Sequence, residues 1–300
     1  MSVKKVSIGS WAYVFGEYAD NPVLLPELCR ELNRLKFDGI SLGGFKPHAH
    51  PDIYDTPEKK AQLKKLFEDY DLEVAEFAAD LWSVDSLKQN EEWLKLFDKN
   101  IAFMADLGFR IIRIDSGTPP ILPDNMTYDD VKDFIKDMFR KCARKAAQEG
   151  IEVVWEFEPG FMINEPENVI DVVKDVNEPN FKLLFDTCHA HMGAVVGARH
   201  IEDGKTLKGG IVEFCEMAKD LIGIVHLIDS DGTLNEAQTS THAPFGVGVI
   251  DFDEVIPALL DRANYKGEWW AIDLCEWPEA WKVTAESKAF VDKINEKYCK

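Results

Sequence analysis

The stretch FKLLFDTCHAHMG, residues 181–193, joins an apolar run, Phe181 to Phe185, to one acid, Asp186, and two histidines, His189 and His191. A short apolar run stopped by polar residues reads as a buried strand, and the ligand-type side chains then sit where that strand ends. Working outward, seven further runs have the same character: KVSIGSW (5–11), GISLGGF (39–45), EVAEFAA (73–79), RIIRIDS (110–116), IEVVWEFE (151–158), IGIVHLID (222–229) and EWWAIDL (268–274). Between them lie amphipathic segments such as PEKKAQLKKLFEDY and YDDVKDFIKDMFRKCARKAAQEG, with charge on one face and Leu, Ile, Phe and Met on the other. Gly108 and Gly150 fall where a helix ends just before a strand, a position that favours positive φ. Eight βα units in one chain predict an α/β fold, a (β/α)8 TIM barrel, as a single domain over 1–300. A doubly wound open sheet is the rival, but the glycine-rich phosphate turn that often follows its first strand is absent.

Composition limits the partners. The 300 residues are 46% hydrophobic, enough for one large core, and 34 Lys plus Arg face 54 Asp plus Glu, a formal charge of -20. Such a surface repels phosphate backbones and anionic lipid, so neither nucleic acid nor a membrane is expected as a partner. Six cysteines without a C-x-x-C pair, and an N-terminal stretch lacking the apolar core of a signal peptide, point to a reducing, cytoplasmic setting.

Barrel enzymes carry their chemistry at the C-terminal ends of the strands. Residues falling there are Glu156 and Glu158, Asp186, His226 and Asp229, Asp273 and Glu276. Of seven histidines only His200 lies away from this rim: His48 and His50 follow strand two, His189 and His191 strand six, His226 ends strand seven, and His242 lies beyond it. One acid or histidine after a strand is commonly just a helix N-cap. Four consecutive units are a stronger signal, because a carboxylate in a barrel mouth stays ionised only beside a cation or base. Carboxylates with one histidine suit a hard-to-borderline divalent ion.

The chain also resembles the xylose isomerase-like barrels, which include sugar isomerases, ketose 3-epimerases, inosose dehydratase relatives and endonuclease IV. GIEVVWEFEPGF is similar to the family's strand five with its metal-binding Glu, FKLLFDTCH to its D-x-x-H strand six, IGIVHLID to its H-x-x-D strand seven, and PFGVGVIDFDEVIPALL to the stretch leading into strand eight. The resemblance implies one divalent ion, Mn2+ first with Mg2+, Co2+ or Zn2+ as alternatives, held by Glu156, Asp186, His226 and a strand-eight carboxylate. Asp273 is preferred there, with Glu276 able to reach in from the loop. Glu158 shares a strand face with Glu156 and is expected to contact substrate. His189 is expected as a substrate-contacting imidazole, and Glu156, His189, Asp273 and His48 as the catalytic groups. Relatives place Glu at strand eight; the shorter Asp273 argues against symmetric two-base epimerisation.

Two loops suggest the branch. GSWAYVFGEY supplies Trp11, and GGFKPHAHPD supplies Lys46, His48 and His50; both resemble the large subunit of bacterial C-glycoside deglycosidases, which act on 3-oxo-glycosides and work with a small β-rich partner. Trp11, Lys46, His50, Arg113, Glu158, His191 and Glu276 are therefore candidate substrate contacts, although Arg113 and Asp115 also read as a buried structural pair. The expected activity is removal of a proton beside the carbonyl of a sugar or glycoside, followed by isomerisation, epimerisation or β-elimination. A homo-oligomer or a complex with a small second subunit is expected. The alternatives are an endonuclease IV-like phosphodiesterase, disfavoured by charge, and a silent barrel subunit.

Overall fold

The computed structural model describes residues 2–201 and 205–299. Among the described residues ten strands appear in chain order: β1 (Lys5–Ile8), β2 (Gly39–Gly43), β3 (Glu73–Ala78), β4 (Ile111–Ile114), β5 (Glu152–Glu156), β6 (Phe181–Asp186), β7 (Ile222–Leu227), β8 (Asp229–Leu234), β9 (Ser240–Ala243) and β10 (Trp269–Ile272). Eight of them form one parallel sheet in the order β1-β10-β7-β6-β5-β4-β3-β2. Its two outer strands meet through a parallel bridge from Gly9 to Ser41 and a 3.0 Å bond between the Ser7 and Ser41 hydroxyls. The sheet is thus a nearly closed (β/α)8 barrel, as the eight apolar runs imply.

Helices occupy the connections. Residues 90–107 form one with Trp93, Phe97, Ile101 and Met104 buried on a single face, and Gly108 ends it in the left-handed region at φ 79°. The helix Tyr128–Ala147 begins with a capping box in which Thr127 and Asp130 exchange side-chain and backbone bonds. The main hydrophobic core runs between barrel and helices and draws on residues from Val6 to Cys299. No helix among the described residues is long and apolar enough to cross a membrane.

The barrel interior is layered, and this layering positions the site. Ala75, Val154, Leu184, Ile224 and Trp269 pack together in the lower interior, with Ile111 against them. Side chains repeat on one strand face every two residues, so the next inward positions after Ile111, Val154, Leu184 and Ile224 are Arg113, Glu156, Asp186 and His226. Strand pairing sets Asp186 directly beside His226. An apolar plug therefore supports a polar layer at the C-terminal end.

Two features differ from expectation. The first strand stops at Ile8, and Ser10–Tyr13 turn as a short 3-10 helix that swings the Trp11 ring across the barrel mouth. Beyond β7, β8 and β9 pair as an antiparallel ribbon where only a loop was expected. Asp229, which starts the ribbon, is a structural anchor: its carboxylate accepts from the backbone amides of Ser230, Gly246, Gly248 and Ile250.

Candidate metal centre

Glu156, Asp186, His226 and Asp273 converge, each offering a ligand atom within 4.8 Å of the others, and all four are buried. His226 Nδ1 lies at the middle of the set, 3.1 Å from Glu156 Oε1, 3.3 Å from Asp273 Oδ2 and 3.8 Å from Asp186 Oδ2. Ligands bonded to one ion at about 2.0–2.4 Å are spaced from one another by such distances. The other ring nitrogen, Nε2, is 2.6 Å from Glu76 Oε1 on β3. With the proton on Nε2, donated to Glu76, the Nδ1 lone pair is free to bind a cation.

Polar satisfaction supports the same reading. Glu156 Oε1, Asp186 Oδ2 and His226 Nδ1 are buried without a hydrogen-bond partner, while Glu156 Oε2 faces the Arg113 guanidinium. Burying such atoms unpaired is costly, and a divalent ion would satisfy them together. The donor set, three carboxylates and one imidazole, fits a hard-to-borderline divalent ion.

Charge is unevenly distributed around the set. Burial raises the Glu156 pKa, but the Arg113 guanidinium in ion-pair contact, together with the His226 and His189 imidazoles, outweighs it, and the value falls to about 2. Burial, reinforced by the Asp273 and Glu156 carboxylates and opposed by His242, pushes Asp186 up to about 7. Burial likewise lifts Glu158 to about 7, while its bond from Thr239 pulls the other way. For His189, burial and the neighbouring His242 push the pKa down to about 3, so the ring is neutral.

Above the set lies a cleft of ≈ 250 Å³. Trp11, Arg113, Glu156, Glu158, His189, Asp273 and Glu276, all expected from sequence, line it, together with Phe15, Trp82, Phe161 and Cys275. The Trp11 indole N–H donates to Asp273 Oδ1 at 2.9 Å, and its ring centre is 5.6 Å from that of His226. Trp82 stacks on Phe15 at 6.0 Å between ring centres and stands 42% exposed at the rim. Glu158 Oε2 accepts from Thr239 at 2.6 Å and lies 3.6 Å from His189 Nε2. His189 Nδ1 meets the Ser240 hydroxyl at 2.8 Å, and its backbone amide donates to Asp186.

Several sequence candidates are not brought to the cleft. His48 is fully buried, and its Nε2 bonds the Val23 carbonyl at 2.8 Å, because the loop after β2 folds back towards the chain after β1. Lys46 is exposed and faces Asp52, and His50 Nδ1 accepts from the Asp52 amide. His191 is buried outside the cleft lining, its Nε2 directed toward Gly232 on the ribbon. Glu276 lines the cleft but accepts from Asn235 at 2.7 Å and does not belong to the four-residue set, whereas Asp273 does. Glu76 was missed from sequence, and His242, placed at the rim, was given no role. Glu76 sits inside an ordinary-looking strand. His242 rides on the unforeseen ribbon, its ring centre 4.9 Å from that of His189.

Residues 29–293 match the family described as xylose isomerase-like TIM barrel, and the chain belongs to it. Uncharacterized protein MJ1311 of Methanocaldococcus jannaschii is 24% identical over 252 residues, 81% of this chain and 78% of its own. A D-tagatose 3-epimerase-like protein superposes with a TM-score of 0.71 at 21% identity, covering 98% of this chain and 99% of its own. The IOLI protein with a binding zinc atom gives 0.71 at 18% identity, with coverage of 97% and 96%. The 3-keto-D-glucoside 4-epimerase YcjR from E. coli gives 0.67 at 16%, with 97% and 99%. The fold's other neighbours include a probable 3-DHS dehydratase and an AP endonuclease of family 2.

Proposed function

We propose that the protein is a divalent-metal-dependent enzyme that removes the proton beside the carbonyl of a sugar-derived substrate. It then acts either as an isomerase or epimerase, or as a lyase expelling the aglycone of a 3-oxo-glycoside. The observation that carries this reading is the convergence of four buried ligand atoms, three of them without hydrogen-bond partners, beneath a cleft with aromatic walls. Glu156, Asp186, His226 and Asp273 would hold a divalent ion, which would supply electrophilic stabilisation to an oxyanion developing at the substrate carbonyl.

The chain's own groups divide the remaining work. Arg113, with His226 and His189, holds the Glu156 pKa low and so makes its carboxylate a weak base, which favours a ligand role for it. Glu158 faces the cleft, burial lifts its pKa to about 7, and its Oε2 is the group best placed to take the substrate proton. His189, fixed by Ser240 and by the Asp186 carboxylate, orients a substrate hydroxyl or returns the proton. Trp11, Phe15, Trp82 and Phe161 offer flat apolar faces to a sugar ring or aglycone and exclude water. The net charge of -20 weighs against a phosphodiesterase acting on nucleic acid.

We extend the reading to association with a second copy or a small subunit, supported by the exposed Val195, Val196, Val247 and Val249. Light scattering that finds a fully active monomer would contradict that part alone. The chemistry is tested by turnover of keto-sugars and 3-oxo-glycosides in deuterated water. For isomerisation or epimerisation, deuterium is expected at the carbon to which the proton returns; β-elimination leaves the carbon beside the carbonyl without hydrogen, so there the expected sign is slower turnover of substrate deuterated at that carbon. Isomerised or epimerised product formed without solvent deuterium would favour hydride transfer between adjacent carbons and remove the base role from Glu158.

A further inference from the structure

We propose that Asp273, Cys275 and His242 form a second metal position beside the first, one that takes a thiophilic divalent ion such as zinc. The ribbon of β8 and β9 carries His242 over the cleft, where the residue is 5% exposed and neither ring nitrogen has a hydrogen-bond partner. A buried imidazole with both nitrogens unpaired calls for a ligand. Its Nδ1 is 3.7 Å from Asp273 Oδ1, and ligand atoms of His242, Asp273 and Cys275 all lie within 4.8 Å of one another.

Asp273 connects the two positions. The Trp11 indole and the Cys275 backbone amide both donate to Oδ1, fixing the carboxylate. Oδ1 lies on the His242 side and its two lone pairs are filled by these donors, so an ion there takes the place of the Trp11 bond, while Oδ2 stands 3.3 Å from His226 Nδ1. A carboxylate facing two ions in this way is the arrangement of two-metal sites, in which the ions lie about 3.5–4 Å apart.

The donors select the ion. One sulfur, one imidazole and one carboxylate suit zinc better than magnesium or manganese, which prefer oxygen. Three protein ligands leave a fourth position open, and Cys275 and His242 both line the cleft, so that position faces substrate. Binding requires the thiolate, and the Cys275 proton is released to solvent as the sulfur–metal bond forms. Cys188 also lies near His242, on the Asp186 side, but its thiol is fully buried and donates to the Thr241 carbonyl. It provides the control.

The inference does not depend on the reaction proposed above. Metal-free protein titrated with cobalt(II) is expected to bind two equivalents, one of them giving the intense near-ultraviolet absorption of a thiolate–cobalt bond. Cys275→Ser should keep one equivalent and lose that absorption, His242→Ala should do the same, and Cys188→Ser should keep both. One equivalent bound by the wild type without thiolate absorption would overturn the second position and leave the first intact. Absorption that survives Cys275→Ser but vanishes in Cys188→Ser would overturn it as well. Failure to bind any cobalt would overturn both positions.

Discussion

His226 and Glu76 lie 2.6 Å apart, ring nitrogen to carboxylate oxygen, across the barrel interior, and this contact aims the free nitrogen of the ring at three other carboxylates. A carboxylate behind a ligating histidine fixes its tautomer and raises its basicity. Glu76→Ala should therefore weaken divalent metal binding about 10- to 100-fold without touching a ligand. Competition against a chromophoric chelator measures this, and unchanged affinity would remove the role assigned to Glu76.

The two strand-five glutamates should separate by variant. Glu156→Gln should lose metal together with activity, since it removes a ligand charge. Glu158→Gln should retain metal but lose turnover by about 10²- to 10⁴-fold, the usual contribution of a positioned base. Metal content alongside kcat distinguishes them; equal metal loss in both variants would contradict the division of labour.

His48 gives a stability prediction away from the site. Burial lowers its pKa below 6.5, with the Val23 bond opposing, so the folded state keeps it neutral while the unfolded chain protonates. The unfolded state binds more protons as pH falls below 6.5, and stability present above that pH is lost on acidification. The loss from one such group approaches about 1.4 kcal/mol per pH unit. Urea midpoints of wild type and His48→Gln should converge as pH drops from neutrality towards 5.5; parallel curves would show that His48 does not titrate differently on folding.

Asp229→Ala should destabilise the fold by about 2–3 kcal/mol, because it strips one acceptor from several backbone amides that hold the segment after the ribbon. Denaturant melts measure the loss, and a change below about 0.5 kcal/mol, the range of ordinary surface substitutions, would show that water replaces the carboxylate without penalty.

All eight barrel strands were legible, because each is an apolar run long enough to be buried on both faces and ends in polar residues. That residues at the ends of β5, β6 and β7 and just beyond β10 would meet was legible for the same reason: a barrel brings the ends of its strands together at one mouth. The ribbon was not. Its strands, DSDGTL and STHA, are short and polar and carry no alternating apolar pattern, so His242 read as a loop residue. Glu76 was hidden because one acid in a strand carries no signal until its cross-barrel partner is known. His48, His50 and Lys46 were over-read, since sequence places a loop at the mouth but does not say which way its side chains turn.

Glu156, Asp186, His226 and Asp273 together are expected to hold one divalent metal ion. Anomalous diffraction at the manganese edge, from crystals grown with manganese, tests it most directly. A peak is expected about 2.0–2.4 Å from one atom of each of these four residues. Crystals with no peak among them, or with manganese bound at Glu276 in place of Asp273, would contradict it.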